Sequence, residues 1–138
     1  MNYLKKFTIS TKGFCDIIDV TDRVAEIVSQ SKIKNGLAVV FVTGSTAGVT
    51  TLEANANLEA DLCEALEMIA PRDKKYHHDK KWQDGNGFSH VRAALIGPSI
   101  SIPIIKSQMQ LGTWQQIVLC DFDNKSRQRD VLVQIVGE

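Results

Sequence analysis

The order of apolar and polar positions along the chain predicts short strands and amphipathic helices joined by polar turns. Residues 3–10 and 14–20 have the length and apolar content of two strands that flank a turn at residues 12–13. A helix follows the second strand, because apolar residues recur there at intervals of three and four. The predicted buried side of this helix consists of Val24, Ile27, Val28 and Ser31.

The middle of the chain combines one unbroken apolar run with a second helix. Residues 37–42, LAVVFV, are apolar throughout and rich in β-branched side chains, which indicates a strand buried on both faces. Thr50 and Thr51 favour a short strand, and Asn57 is a candidate cap for a helix over residues 58–70. The predicted buried face of that helix contains Leu58, Leu62, Ala65, Leu66 and Ile69.

Strands dominate the last third of the chain. Residues 99–105, 113–123 and 129–137 are predicted to form an antiparallel meander, preceded by a short helix over residues 90–97. Because these strands are grouped rather than alternating with helices, the pattern favours an α+β fold. The length corresponds to a single domain over residues 1–138.

Charge and cysteine content exclude several classes of protein. Sixteen basic and sixteen acidic residues balance to a net charge of zero, which argues against nucleic-acid binding through a basic face. No apolar stretch approaches the roughly 18 residues of a membrane span, and we expect no signal peptide. Cys15, Cys63 and Cys120 form no CxxC pair, so we expect reduced, structural cysteines in a cytoplasmic protein.

A polar loop over residues 71–87 leads into the segment WQDGNGFSH at residues 82–90. Loops of this length in a compact domain are usually functional or disordered. The glycines of DGNG allow backbone N–H groups to approach a phosphate, and the N-terminus of the following helix favours an anion. The alternative interpretation of DGNG is a tight turn without a ligand.

All three histidines of the chain, His77, His78 and His90, lie within fourteen residues. Asp79 is adjacent to His78, and Asp84 lies between His78 and His90. Imidazole and carboxylate ligands suit zinc, manganese or iron, so this segment is a candidate metal site. In the alternative interpretation, His77 and His78 are solvated loop residues.

The segment GSTAGVTT at residues 44–51 supplies hydroxyl groups, including that of Thr46, directly after an apolar strand. It lacks the lysine of a Walker loop, and a plain strand-end loop is the alternative interpretation. Glu53 and Asn55 follow at the two-residue spacing of one strand face. Glu53 is therefore either a candidate general base or a solvated residue.

Three further side chains have ordinary interpretations from the sequence. Trp114 precedes a long strand, where it belongs to the core or an interface or serves as a stacking platform for a heteroaromatic ring. Arg127 and Arg129 follow a turn and are expected to be solvated.

Three segments carry a resemblance to a known family. Residues 99–117 are SISIPIIKSQMQLGTWQQI, residues 84–99 are DGNGFSHVRAALIGPS, and residues 44–55 are GSTAGVTTLEAN. In this order and spacing they resemble the YjbQ family, also called secondary thiamine-phosphate synthases, over essentially the whole chain. The resemblance implies an α+β fold with an antiparallel, β-sandwich-like core and two or three helices. It also implies a homotrimer with a site at the subunit interface.

The activity implied by the resemblance is a weak thiamine-phosphate synthesis. That reaction joins hydroxymethylpyrimidine diphosphate to a thiazole phosphate with loss of pyrophosphate. The alternative function is that of a non-catalytic homotrimer that binds a small phosphorylated ligand.

The loop and the resemblance together assign roles to individual residues. His78 and His90 match family histidines and are the expected ligands of a divalent metal, magnesium or zinc. The resemblance implies a histidine at the position of Gly44 in many members, and a histidine at the position of Phe88 in a related subgroup that shares GSTAG. The expected catalytic residues are His90, Glu53 and Asn55. The expected substrate-binding residues are Thr46, Arg92, Asp84, Asn86 and Trp114.

Overall fold

Eight strands and four helices make up the fold, and the computed structural model describes every residue from Met1 to Glu138. The strands are β1 (Asn2–Thr11), β2 (Asp16–Asp19), β3 (Gly36–Val42), β4 (Ala47–Leu52), β5 (Ser99–Ile105), β6 (Gln108–Met109), β7 (Gln116–Asp121) and β8 (Arg127–Gly137). The helices are α1 (Thr21–Ser31), α2 (Ala56–Ile69), α3 (His77–Trp82) and α4 (Gly87–Ile96).

The strands form two antiparallel sheets that share one hydrophobic core. The larger sheet has the order β1-β8-β3-β5-β6, and the smaller has the order β2-β7-β4. The main cluster of 18 buried apolar residues draws on both sheets and on α1. A second cluster, which includes Leu66, Ala93 and Phe122, joins the smaller sheet to α2 and α4. This arrangement confirms the α+β fold with an antiparallel core.

The buried residues predicted from the sequence are correct for helix α1 and wrong for strand β3. The buried residues of α1 are the four that the helical spacing predicts, Val24, Ile27, Val28 and Ser31. The prediction that residues 37–42 are buried on both faces is wrong, because Leu37 is 39% and Phe41 is 40% exposed. Strand β3 lies inside the larger sheet, which has the core on one face only, so its burial alternates along the strand.

The predicted C-terminal meander is also wrong. Strand β7 pairs with β2 and β4, whereas β8 pairs with β1 and β3 in the other sheet. The chain changes sheets across residues 122–126, and again between β1 and β2. Strands β7 and β8, and likewise β1 and β2, therefore lie in different sheets instead of pairing edge to edge.

The helices of the middle segment differ from the prediction in their ends and in number. Helix α2 is capped by Asn55, whose side-chain oxygen accepts from the Leu58 N–H at 2.9 Å, and not by Asn57. Of its predicted buried face only Leu66 is fully buried, and Ile69 is exposed. The polar loop contains α3, so the chain has four helices rather than two or three.

The cysteine prediction is corrected for two of the three residues. Cys15 and Cys63 form a disulfide that joins the segment before β2 to α2, with 6.0 Å between their Cα atoms. The spacing of the cysteines in the sequence does not predict this bond, because the two residues are 48 positions apart. Cys120 is free and buried as expected, and its burial raises the pKa of the thiol to about 12.

The helices are too short or too polar to cross a lipid bilayer.

Candidate functional site

Two of the three histidines meet beside two carboxylates where α3 approaches the start of α4. His78 Nδ1 lies 3.1 Å from Asp79 Oδ1 and 3.5 Å from Asp84 Oδ1. The ring centroids of His78 and His90 are 4.4 Å apart. We call His78, Asp79, Asp84 and His90 the histidine cluster. His77 is exposed and does not belong to it.

The donor set of the histidine cluster fits a divalent cation. One ligand atom each from His78, Asp79 and Asp84 lies within 4.8 Å of the others. One imidazole with two carboxylates suits zinc or manganese, and the carboxylate oxygens also suit magnesium. The cluster is half-buried to exposed, so it is open to a ligand from solvent.

Gly87 allows α3 and α4 to approach each other at the histidine cluster. A Cβ atom on Gly87 would lie 2.5 Å from Cβ of Tyr76, so only glycine fits there. The Gly87 N–H donates to Asp79 Oδ1 at 2.9 Å and orients that carboxylate. Burial raises the pKa of Tyr76, whose hydroxyl donates to the Pro71 carbonyl oxygen at 2.7 Å.

A buried ionic network lies behind the histidine cluster. Asp121 accepts from Arg129 Nε at 2.7 Å and Nη2 at 3.0 Å. Asp123 accepts from Arg127 Nε at 2.7 Å and from the Thr46 hydroxyl at 3.1 Å. Arg129 Nη2 also donates to Thr46 Oγ1 at 2.6 Å. We call Thr46, Asp121, Asp123, Arg127 and Arg129 the ionic network.

The loop over residues 84–89 is anchored to the strand end that carries the ionic network. Asn86 Nδ2 donates to Asp123 Oδ1 at 3.2 Å, and Asn124 Nδ2 donates to the Asp84 carbonyl oxygen at 2.7 Å. The Ser89 hydroxyl donates to the carbonyl oxygen of Phe122. The ionic network therefore positions the segment that presents Asp84 and His90.

Arg127 and Arg129 were expected to be solvated, and this expectation is wrong for Arg129, whose side chain is 8% exposed, whereas the side chain of Arg127 is 40% exposed. The carboxylates of Asp121 and Asp123 are buried and hold both guanidinium groups. A signal was present in the sequence, since two acids and two arginines flank one turn at the same two-residue spacing. This spacing indicates buried ion pairs only when it is known that the turn brings both strand ends against Thr46.

Asp123 makes the stability of the fold depend on pH. Burial alone would raise the pKa of its carboxyl group, but hydrogen bonds from Asn86, Arg127, Asn124 and Thr46 outweigh burial and lower it from 3.8 to about 2. The stabilisation is therefore complete above pH 4 and is lost as the pH falls from about 4 to about 2. We expect the loss to be about 2 kcal/mol in urea unfolding across this interval. An Asp123→Asn variant should lack this part of the pH dependence, and an unchanged dependence would exclude Asp123 as its source.

The remaining candidate residues divide between two ends of the smaller sheet. Ala47 pairs with Asp121 at the end that carries the ionic network, and Leu52 pairs with Gln116 at the other end. The far end carries Glu53, Asn55 and Trp114, and Trp114 is 73% exposed. A strand of six residues spans roughly 17 Å, so these three lie away from the histidine cluster within one chain.

The side chain of Arg92 is buried and paired within the protein, so it is not accessible to a substrate. Its side chain is 2% exposed and forms an ion pair with Glu67. Its Nε also donates to the Ala70 carbonyl oxygen at 3.0 Å, and the guanidinium lies over the ring of Phe88. The backbone hydrogen bond of Arg72 and the nearby Arg92 lower the pKa of Glu67 against the effect of burial. The guanidinium group of Arg92 is therefore paired within the protein and not directed at a ligand.

A cavity of about 260 Å³ adjoins the histidine cluster. His90 forms one side of it, and the segment GSTA at residues 44–47 supplies Gly44, Ser45 and Ala47 to the other. Its remaining lining comes from small residues at the end of α4, Ala93, Ala94 and Pro98. The hydroxyl-rich loop and His90, distant in sequence, thus share one cavity.

Comparison with known proteins identifies the family. The family model described as UPF0047 protein YjbQ-like matches residues 5–138. The chain belongs to this family. The UPF0047 protein of Methanocaldococcus jannaschii is 33% identical over 136 residues, which cover 98% of this chain and 95% of the relative. The UPF0047 protein of Mycobacterium tuberculosis strain H37Rv is 37% identical over 120 residues, which cover 87% of this chain and 88% of the relative.

Solved structures agree with the family assignment. A YbjQ-like protein of unknown function from Sulfolobus solfataricus P2 has a TM-score of 0.95 and 30% identity, covering 100% of this chain and 99% of that one. A YjbQ/UPF0047 family protein from Clostridium acetobutylicum has a TM-score of 0.87 and 33% identity, covering 96% and 99%. The YjbQ-like resemblance of the sequence is thus confirmed. The function of the family is unknown, so membership establishes the fold and not a reaction.

Proposed function

We propose that the chain binds a divalent cation at His78, Asp79 and Asp84 and uses this site on a small phosphorylated substrate. The observation that carries the proposal is the convergence of three ligand atoms within 4.8 Å, beside the ring of His90. The reaction we propose is a weak thiamine-phosphate synthesis, which is what the family resemblance implies.

The chemistry of this reaction suits the residues at the site. The bond between the pyrimidine methylene carbon and the diphosphate oxygen breaks, pyrophosphate leaves, and the thiazole nitrogen bonds to that carbon. A bound divalent cation would neutralise charge on the leaving pyrophosphate. Asp79 and Asp84 hold their carboxylates beside His78, and Gly87 fixes the orientation of Asp79.

The other residues have roles that follow from their positions. His90 belongs to the histidine cluster and also lines the cavity, where it is placed to touch the substrate. Thr46 and Asn86 support the loops on either side through Asp123. Glu53, Asn55 and Trp114 lie at the far end of the smaller sheet, so they join this site only when another copy of the chain supplies them.

Cation binding is tested with the single substitution His78→Ala and calorimetric titration with zinc and magnesium. Changes to residues that hydrogen-bond to metal ligands already reduce affinity by roughly 10- to 100-fold, so loss of a direct ligand should cost at least about tenfold. The matched control is His77→Ala, since His77 is adjacent but exposed and outside the cluster. Equal affinity in both variants would contradict the assigned cation ligands.

Turnover is tested separately, with both phosphorylated substrates and magnesium. We expect pyrophosphate release by the unaltered chain and a loss of most of that activity in His90→Ala. Activity unchanged by His90→Ala would remove His90 from the site. Ligand-induced thermal stabilisation without any turnover would favour the second function below.

The second candidate function is a non-catalytic homotrimer that binds a small phosphorylated ligand. An exposed apolar patch on the outer face of the larger sheet favours self-association. Leu37 pairs with Val136 and Phe41 pairs with Leu132 on that face. Light scattering should give a trimer mass, and a monomer would count against both the trimer and the shared site.

A cytoplasmic location stays a prediction. One reason for it was the expectation of reduced cysteines, which the Cys15–Cys63 disulfide removes.

A further inference from the structure

We propose that Arg129 is an anion-binding residue, and that the open edge of its guanidinium receives a phosphoryl oxygen beside Gly44. The choice of a phosphorylated ligand rests on the proposed function. The sequence alone predicts a solvated Arg129, so this role follows only from the structure.

The hydrogen bonds of Arg129 leave two donors free. A guanidinium has five N–H donors in a fixed plane. Nε donates to Asp121, and Nη2 donates to Asp121 and to Thr46 Oγ1. Nη1 makes no hydrogen bond to the protein, and the only buried side-chain nitrogen or oxygen without a partner is Asn86 Oδ1. Nη1 therefore keeps contact with solvent although the side chain as a whole is only 8% exposed.

Gly44 is the reason that Nη1 stays open. A Cβ atom at this position would lie 2.7 Å from Arg129 Nη1, so any side chain would cover the free donors. The φ angle of Gly44 is +116°, a conformation that residues with a side chain rarely adopt.

The pocket beside Gly44 has two polar side chains in its lining, those of Ser45 and His90. Gly44 and Ser45 line the cavity that also contains His90. The two aspartates of the ionic network balance the two arginines, so Arg129 is held rigidly without a net charge. Recognition then depends on directed N–H donors, and planar guanidinium donors are well suited to phosphate oxygens.

Nuclear magnetic resonance on ¹⁵N-labelled protein tests this proposal directly. Orthophosphate and pyrophosphate are titrated in the presence of EDTA, while the side-chain N–H signals of Arg129 and the backbone amides of Gly44 and Ser45 are followed. We expect saturable shifts at all three residues. Gly44→Ala should weaken the binding at least about tenfold, because the new methyl group covers Nη1.

The control variant is Gly97→Ala, which places alanine at another positive φ angle, +90°, with no atom within 4 Å of the new Cβ. It should bind phosphate like the unaltered chain. Absence of a saturable shift at Arg129, or equal affinity in Gly44→Ala, would overturn the proposal.

A repeat of the titration with His78→Ala separates this proposal from the cation site. Phosphate shifts at Arg129 that persist without metal and in His78→Ala support Arg129 even if cation binding fails. Shifts that appear only with a bound metal and vanish in His78→Ala would overturn the Arg129 proposal and leave the cation site standing.

Discussion

Replacement of Asp121 by asparagine is expected to lower the free energy of unfolding by about 3–5 kcal/mol. The reason is that Asp121 has no exposed surface and supplies the carboxylate to which Arg129 donates through two nitrogens. Without that charge the buried guanidinium keeps only one carboxylate nearby, that of Asp123 at 3.9 Å from Nη2, and breaking a buried pair costs more than the pair contributes. Thr11 Oγ1 also donates to Asp121 at 2.5 Å, so the end of β1 loses an anchor.

The control for this prediction is Asp130→Asn, because Asp130 lies one residue from Arg129 and its side chain is 43% exposed. Its nearest cation, Lys6, is 3.9 Å away and exposed. Such surface pairs contribute less than about 1 kcal/mol. Chemical denaturation of both variants at pH 7 makes the comparison. Similar losses in the two would mean that the ionic network does not stabilise the fold beyond an ordinary surface pair.

The second large effect is expected for Gly13→Ala, with a loss of about 3 kcal/mol. Gly13 has a φ angle of +85°, and a Cβ there would lie 2.6 Å from the carbonyl oxygens of both Asp123 and Lys125. These are backbone atoms that cannot rotate away, and Phe14 N–H already donates to the Asp123 carbonyl oxygen at 2.6 Å. The clash therefore moves the turn that carries Asp123.

Gly97→Ala isolates the backbone part of this effect. Its φ angle of +90° is similar, but a Cβ would meet nothing within 4 Å, so a loss of about 1 kcal/mol is expected. Thermal and urea unfolding of the two variants measure the difference. If both lose the same amount, the close approach to the Asp123 turn is not what Gly13 provides. We also expect Gly13→Ala, and not Gly97→Ala, to shift the amide signals of the loop anchored by Asn86.

The local pattern of the sequence was sufficient for helix α1, which buries one face. The four buried residues of α1 follow from helical spacing alone, and the histidine-rich segment was recognised from its composition and from the clustering of all three histidines. The longer motifs also identified the family, which the match over residues 5–138 confirms. Sequence reasoning therefore established the fold class and one wall of the candidate site.

The errors arose where burial depends on a partner that is distant in sequence. Strand β3 has an apolar sequence throughout, yet only one of its faces meets the core, because the neighbouring sheet covers only that side. Arg129 looks like a solvated loop residue until the turn before β8 brings Asp121 and Thr46 against it. Cys15 and Cys63 likewise meet only after α2 packs beside the smaller sheet.

The sequence by itself determined most of the helices and strands, though not α3, together with the family and the chemical character of residues 82–90. Only the tertiary structure decided that His78 joins two carboxylates, that Arg129 is buried with one open edge, and that Trp114 lies at the other end of the smaller sheet. The physical reason is that helical and strand periodicity are properties of neighbouring residues, whereas charge pairing and burial depend on which strands the chain places in the same sheet.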